Sequence, residues 1–214
     1  MRRICGKKLT LAVVASLLAG TVPAWAEDTT NDVTGQHVTI DSNQEGELFY
    51  GGYTEKGSVS DSSLSITGGT TTLKDIKGQY VHIIVGGVGL TGASGNQLLI
   101  SGNGKVTGND SYAVYGGYTY GKAVNNTVSI SDQAVITGEA CRVYGGASDN
   151  DSFSSQNEDV TGNRVEFTSS GAQNIVAIYG GYTNGTGTVS ENQVSLVNGT
   201  FDTAFIVGGS SAST

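Results

Sequence analysis

Apolar residues two apart, with mostly polar residues between them, recur along the chain in short runs. These are Val38-Thr39-Ile40, Leu64-Ser65-Ile66, Asn96-Gln97-Leu98-Leu99-Ile100, Asn126-Thr127-Val128-Ser129-Ile130, Asn163-Arg164-Val165-Glu166-Phe167 and Asn192-Gln193-Val194-Ser195-Leu196. A period of two is that of a strand burying one face. The runs are short, rich in β-branched residues and bounded by Gly, Asn or Ser, which excludes helix. A weaker apolar element follows several of them: Thr71-Thr72-Leu73, Lys105-Val106-Thr107-Gly108, Ala134-Val135-Ile136-Thr137-Gly138 and Gly199-Thr200-Phe201.

Between these runs a third element repeats six times with a paired glycine at its centre. Its copies are Phe49-Tyr50-Gly51-Gly52-Tyr53, Ile84-Val85-Gly86-Gly87-Val88, Val114-Tyr115-Gly116-Gly117-Tyr118, Val143-Tyr144-Gly145-Gly146-Ala147, Ile178-Tyr179-Gly180-Gly181-Tyr182 and Ile206-Val207-Gly208-Gly209-Ser210. The first glycines, at 51, 86, 116, 145, 180 and 208, are spaced by 35, 30, 29, 35 and 28 residues. A period in this range marks stacked supersecondary units in place of one globular core. Three short strands per period, returning to the same register after each circuit, describe one coil of a right-handed parallel β-helix. The expected fold is therefore all-β, a solenoid of about six coils, roughly 29 Å long at about 4.8 Å per coil.

The columns of this repeat assign faces. Phe49, Ile84, Val114, Val143, Ile178 and Ile206 form an inward stack, and Tyr50, Val85, Tyr115, Tyr144, Tyr179 and Val207 point the other way by strand alternation, as a tyrosine-rich outer ladder. A further column holds Tyr53, Val88, Tyr118, Ala147, Tyr182 and Ser210. Stacked aromatic neighbours add about 0.5–1.5 kcal/mol per pair and need no ligand to explain them. The paired glycines are expected at corners, reaching positive φ and letting backbones approach closely. Asn126 and its equivalents are read as a stacked ladder at a turn. The fourth interval is longer by about eight residues, which places an inserted surface loop in Ser148–Asp159.

The N-terminus changes what composition means. Arg2, Arg3, Lys7 and Lys8 precede the apolar run Leu9–Leu18, and Ala24-Trp25-Ala26 supplies a small-x-small cleavage pattern, so residues 1–26 read as a cleavable Sec signal peptide and 27–214 as the exported repeat region. The apolar run falls short of the roughly 20 residues a permanent span needs. Without residues 1–26 the chain has seven basic and 19 acidic residues, a formal charge of −12. Phosphate binding needs clustered Lys and Arg, so nucleic acid is not an expected partner. Cys5 leaves with the signal, and Cys141 alone cannot form an internal disulfide.

Candidate chemistry is thin. His37 and His82 have no recurring partner, and Cys141, in the same column as His82, reads as a small, partly buried filler. Paired glycine after a strand lacks the lysine and helix of a phosphate loop. Asp149, Asp151, Glu158 and Asp159 could supply oxygens to Ca²⁺ but lack the spacing of calcium-binding loops, so they read as a solvated acidic loop. Asp61, Asp75, Asp132 and Asp202 share no repeat phase, whereas sugar cleavage needs converging carboxylates. No residue is assigned a catalytic, cofactor-binding or metal-ligating role, no cofactor is expected, and the chain is read as not an enzyme.

The tandem Val-Tyr-Gly-Gly-Tyr, Asn-Asn-Thr-Val-Ser-Ile and Val-Ile-Thr-Gly pattern resembles the repeats of bacterial autotransporter passenger domains over about residues 31 to 210. That resemblance implies a right-handed β-helix exported by the Sec route and displayed at the cell surface or released, acting in adhesion, aggregation or biofilm formation. It implies a host or neighbouring-cell ligand, protein or glycan, and self-association through an open β-helix end. Such proteins close with a membrane barrel, and the chain stops in mid-pattern at Thr214, so the passenger is expected to be incomplete at its C-terminus. A β-helical polysaccharide-active enzyme is the competing class, disfavoured by the unphased carboxylates.

Overall fold

A computed structural model describes residues 32–74, 82–108, 111–138, 140–149, 158–202 and 205–211. The signal peptide read over 1–26 lies outside these residues, as do Asp75, Asp151 and most of the inserted loop. All regular structure in the described residues is strand, and every strand pair is parallel. The chain forms an all-β parallel solenoid of about five coils.

Each coil uses four short strands, one more than the hydrophobic pattern predicts. The first sheet stacks Val33–Thr34, Ser58–Ser60, Gly92–Ser94, Lys122–Val124, Val160–Thr161 and Val189–Ser190. The second stacks His37–Ile40, Ser63–Ile66, Gln97–Ile100, Thr127–Ile130, Arg164–Phe167 and Gln193–Leu196, the alternating runs of the sequence. The third holds Gln44–Gly46, Thr70–Leu73, Lys105–Gly108 and Val135–Gly138, and beyond it Ala172–Asn174 pairs separately with Thr200–Asp202. The fourth, built from the paired-glycine strands, stacks Leu48–Thr54, Ile83–Gly89, Ala113–Thr119, Arg142–Ser148, Ala177–Thr183 and Phe205–Ser211.

The main core fills the space enclosed by the second, third and fourth sheets. From the second sheet come Val38, Leu64, Leu98, Val128 and Val165 in one column and Ile40, Ile66, Ile100, Ile130 and Phe167 in the next. From the fourth come Phe49, Ile84, Val114, Val143 and Ile178, paired in register and all buried. Ile206 continues that column but is 50 % exposed, because it belongs to the last described set of strands, together with Val197 and Phe205. Burying one Val, Leu or Ile is worth about 1.5–3 kcal/mol, so columns five residues deep supply the main driving force.

The paired glycines do one of the two jobs expected of them: they let backbones approach closely, but they do not reach positive φ. Positive φ occurs at Gly35, Asp61, Gly95, Asn125, Gly162 and Glu191, in the corner before the second sheet, and at Gly69, Gly102, Asp132 and Gly199, in the corner after it, and not at the pairs. At the pairs both glycines face inward, where a side chain has no room. A Cβ on Gly86 would meet the Gln97 and Gly116 carbonyl oxygens at 2.5 Å, and one on Gly87 would meet the Asn96 side chain at 2.5 Å. Gly116 is blocked likewise by Thr127 and the Gly145 oxygen, and Gly117 by Asn126. The fourth sheet thus lies directly on the start of the second, with only glycine thin enough to allow the contact.

This waist divides the cross-section. On one side lies the main core. On the other, the smaller compartment under the first sheet holds fully buried Val59, Ala93, Ala123 and Val160, with Thr54, Thr119, Ser148 and Thr183 pointing in from the fourth sheet. The chain leaves the fourth sheet through a hydroxyl turn: Gly121 N donates to Thr119 Oγ1 and Gly185 N to Thr183 Oγ1, each at 3.0 Å.

Along the waist runs the asparagine ladder. Asn96 donates from both its backbone N and its Nδ2 to Asn126 Oδ1 at 3.0 Å, and Asn126 does the same to Asn163 Oδ1 at 2.9 Å. Asn163 repeats the pattern on Asn192 Oδ1 at 2.9 Å. The remaining Nδ2 hydrogens go to the Val59, Ala93, Ala123 and Val160 carbonyl oxygens. Both side-chain hydrogens of the buried Asn96, Asn126 and Asn163 are bonded, so these three amides leave no orphaned donor and fix the register of each coil on the next.

Candidate functional site

The outer face of the fourth sheet is where aromatic and acidic side chains gather. Its composition follows from the waist. Because two successive glycines face inward, strand alternation slips by one residue, and Tyr50 and Tyr53 both emerge on the outside. Their ring centroids are 5.2 Å apart; Tyr115 and Tyr118 stand at 5.1 Å, and Tyr179 and Tyr182 at 5.8 Å. Across coils, Tyr115 and Tyr144 stack at 4.9 Å with 12° between ring planes, and Tyr144 and Tyr179 at 5.0 Å with 7°. The two columns form a second hydrophobic cluster outside the solenoid wall, Tyr50, Tyr53, Ile83 and Val85 being buried in it. The outer ladder is therefore a packed layer, with Tyr50 only 7 % and Tyr144 only 9 % exposed.

Polar groups edge this layer. Tyr118 Oη donates to Asp149 Oδ2 at 3.1 Å, Asn184 Nδ2 donates to Asp149 Oδ1, and Tyr53 Oη donates to Glu55 Oε1 at 3.0 Å. Arg142 is exposed at the start of the same strand as Tyr144. Burial pushes the Tyr115 and Tyr118 phenols well above the usual range, and the Asp149 carboxylate pushes both the same way. Tyr144 is raised for the same first reason, with Arg142 acting in opposition. These phenols stay neutral at physiological pH and offer an amphipathic contact surface of ring edges and hydroxyls.

The other candidates are scattered. His37 Nδ1 bonds Ser63 Oγ at 2.8 Å on the outer face of the second sheet, and His82 is buried in the column of Glu47, Tyr112 and Cys141. Cys141 is fully buried beside Tyr112, more deeply than the partial burial expected, and burial pushes its thiol up to about 12. Asp61 and Asp132 occupy separate corners with φ of 51° and 59°, and Asp202 ends a strand of the two-stranded sheet. The acidic loop does not converge where it is described: Asp149 joins the tyrosines, while Asp159 accepts from Thr188 N at 2.9 Å and pairs with Lys122 at 3.7 Å. Among the described residues no group of three or more His, Cys, Asp or Glu could hold a metal ion. An open depression of about 590 Å³ on the first sheet, floored by Gly92 and Ala93, gathers one charged side chain, Lys122.

Sequence reasoning found the tyrosine columns but not Asp149 as their partner. The available signal was its place, five residues beyond Tyr144, just where the fourth-sheet strand ends. Comparison with protein-family models, with curated proteins and with solved structures finds no match for this chain.

Proposed function

We propose that this chain is an exported structural stalk and adhesin of the autotransporter-passenger kind, carried to the cell surface or released from it. The single observation that carries the reading is the pairing of a signal-peptide pattern over residues 1–26 with a uniform parallel stack whose coils are locked by the asparagine ladder. A stack of this kind is a rigid rod built without disulfides, which suits a chain that is exported before it folds. The winding is right-handed in this reading, the hand that strand twist favours for crossovers between parallel strands of one sheet. The tyrosine layer with its Asp149 and Glu55 edge is the contact surface, and the partner is a protein or glycan on a host or neighbouring cell.

Cell fractionation tests export, and surface proteolysis with an adhesion assay tests display. The full chain expressed in a Gram-negative host is expected to appear outside the cytoplasm with Glu27 as its first residue, to be cleaved by protease added to intact cells or recovered from the medium, and to increase cell–cell or cell–surface attachment. Unprocessed chain confined to the cytoplasm would end the export reading; export without any gain in attachment would leave a stalk and remove the adhesin.

A further inference from the structure

Oxidation of this chain has few outlets. Its one methionine is Met1 and its one tryptophan is Trp25, so beyond residue 26 the readily oxidised side chains are the ten tyrosines and Cys141. Cys141 is fully buried with its thiol pushed up to about 12, which withholds the thiolate that reacts with peroxide. Electron loss is thereby directed to tyrosine. Among the tyrosines, Tyr115, Tyr144 and Tyr179 are singled out by geometry. They are register partners on three successive strands, with centroids 4.9 and 5.0 Å apart and planes within 12° and 7° of parallel. The spacing matches the separation of strands, so each ring stands over the equivalent atoms of the next. Tyr115 and Tyr179 are only partly buried and connect the stack to solvent.

We propose that this triplet is a modification site at which peroxide, acting through a one-electron oxidant such as a heme peroxidase, joins Tyr144 to Tyr115 or Tyr179 as dityrosine. Each of the two phenols gives up one electron and its hydroxyl proton, leaving two phenoxyl radicals. A carbon–carbon bond forms between the ring carbons ortho to the two oxygens, and the hydrogen on each of those carbons moves back to oxygen, restoring both phenols. The pair has then lost two electrons and two protons, and one hydrogen peroxide takes them up to become two waters. The product is a covalent staple between adjacent coils of a region whose one cysteine, Cys141, has no second cysteine to pair with, and it restricts the unfolded chain as a disulfide would. This inference stands on the stack itself; it rests on the reading that residues 1–26 are removed and does not depend on adhesion.

The processed chain beginning at Glu27, treated as a dilute monomer with hydrogen peroxide and a heme peroxidase, is expected to gain dityrosine fluorescence and to lose two hydrogens in mass without dimerising. Peptide mapping is expected to show Tyr144 linked to Tyr115 or Tyr179. Tyr144→Phe, which keeps the ring stack but removes the central phenol, should abolish the intramolecular link, and Tyr120→Phe, at a more exposed ring outside the stack, should leave it intact. Linkage found only in dimers, or persisting at other tyrosines at the same yield in Tyr144→Phe, would overturn the proposal. The peptide map of the unmodified sequence decides by itself if Tyr144→Phe fails to fold.

Discussion

The side chain of Asn126 occupies the space that a Cβ on Gly117 would need. The same contact joins Gly87 to Asn96, Gly146 to Asn163 and Gly181 to Asn192, whether nine, 17 or 11 positions separate the two residues. Glycine and asparagine are thus two halves of one contact: the amide can stand in the waist, bonded to coils on both sides, only because the opposing strand has no side chain there. Gly117→Ala is expected to cost about 3 kcal/mol as overpacking. Asn126→Ala, which strips partners from Asn96, Asn163 and the Ala93 carbonyl, is expected to cost about 3–5 kcal/mol. The double variant should cost less than the two together by about 1–2 kcal/mol, since the methyl then enters the space the amide has left. Denaturant unfolding of the four proteins measures this coupling, and strict additivity would refute the contact.

Alkaline pH should unfold the chain through its tyrosines. Burial raises the Tyr112, Tyr115, Tyr118 and Tyr144 phenols in the folded state. The folded state therefore keeps protons that the unfolded chain releases near pH 10, and stability is fully present below about pH 10 and lost as pH rises beyond it. Phenolate absorbance should appear together with the loss of circular dichroism, in one cooperative step. Asp149→Asn removes a charge that raises Tyr118 and Tyr115, so their ionisation should move to lower pH.

Much of this architecture was legible in the sequence because the repeat writes its core in single-letter columns. Val114 and its equivalents, the alternating runs and the outer tyrosines each keep one residue class at one position, and each is found where its period places it. The first sheet escaped because its strands are two or three residues long and its core residues shrink to Ala93 and Ala123, which carry no periodic signal. The role of the glycine pairs was read only in part. A glycine signals that a side chain is excluded, whereas only the fold reveals whether backbone angle or a facing amide excludes it. The positive-φ corner was invisible for the opposite reason: it is filled by Gly, Asp, Asn and Glu in turn.

Gln173 repairs a break in the third sheet. The strand Ala172–Asn174 does not pair with Val135–Gly138, and the Gln173 amide takes the place of the missing backbone: Ile136 N donates to its Oε1 at 2.8 Å, and its Nε2 donates to Ala134 O at 2.9 Å. The side chain is 2 % exposed. Gln173→Ala leaves the Ile136 N–H buried without an acceptor and should cost about 2–4 kcal/mol. Hydrogen exchange at Ile136 should accelerate more than at Ile100, whose column is unbroken. Equal acceleration at both would mean that the loss is global and the repair unimportant.

The corner before the second sheet carries opposite expectations for two of its residues. Glu191 holds φ at 57°, where a Cβ is strained, and its side chain is exposed. Glu191→Gly relieves a left-handed strain of about 1–2 kcal/mol at the cost of a more flexible unfolded chain, and a net gain of up to about 1 kcal/mol is expected. Gly162 holds φ at 68°, with the Asn125 side-chain oxygen over the site of its missing Cβ. Gly162→Ala therefore meets both the strain and the collision and should lose about 2–3 kcal/mol. Urea midpoints should move in opposite directions for the two variants, and a loss on Glu191→Gly would show that the glutamate makes a contact worth more than the strain it bears.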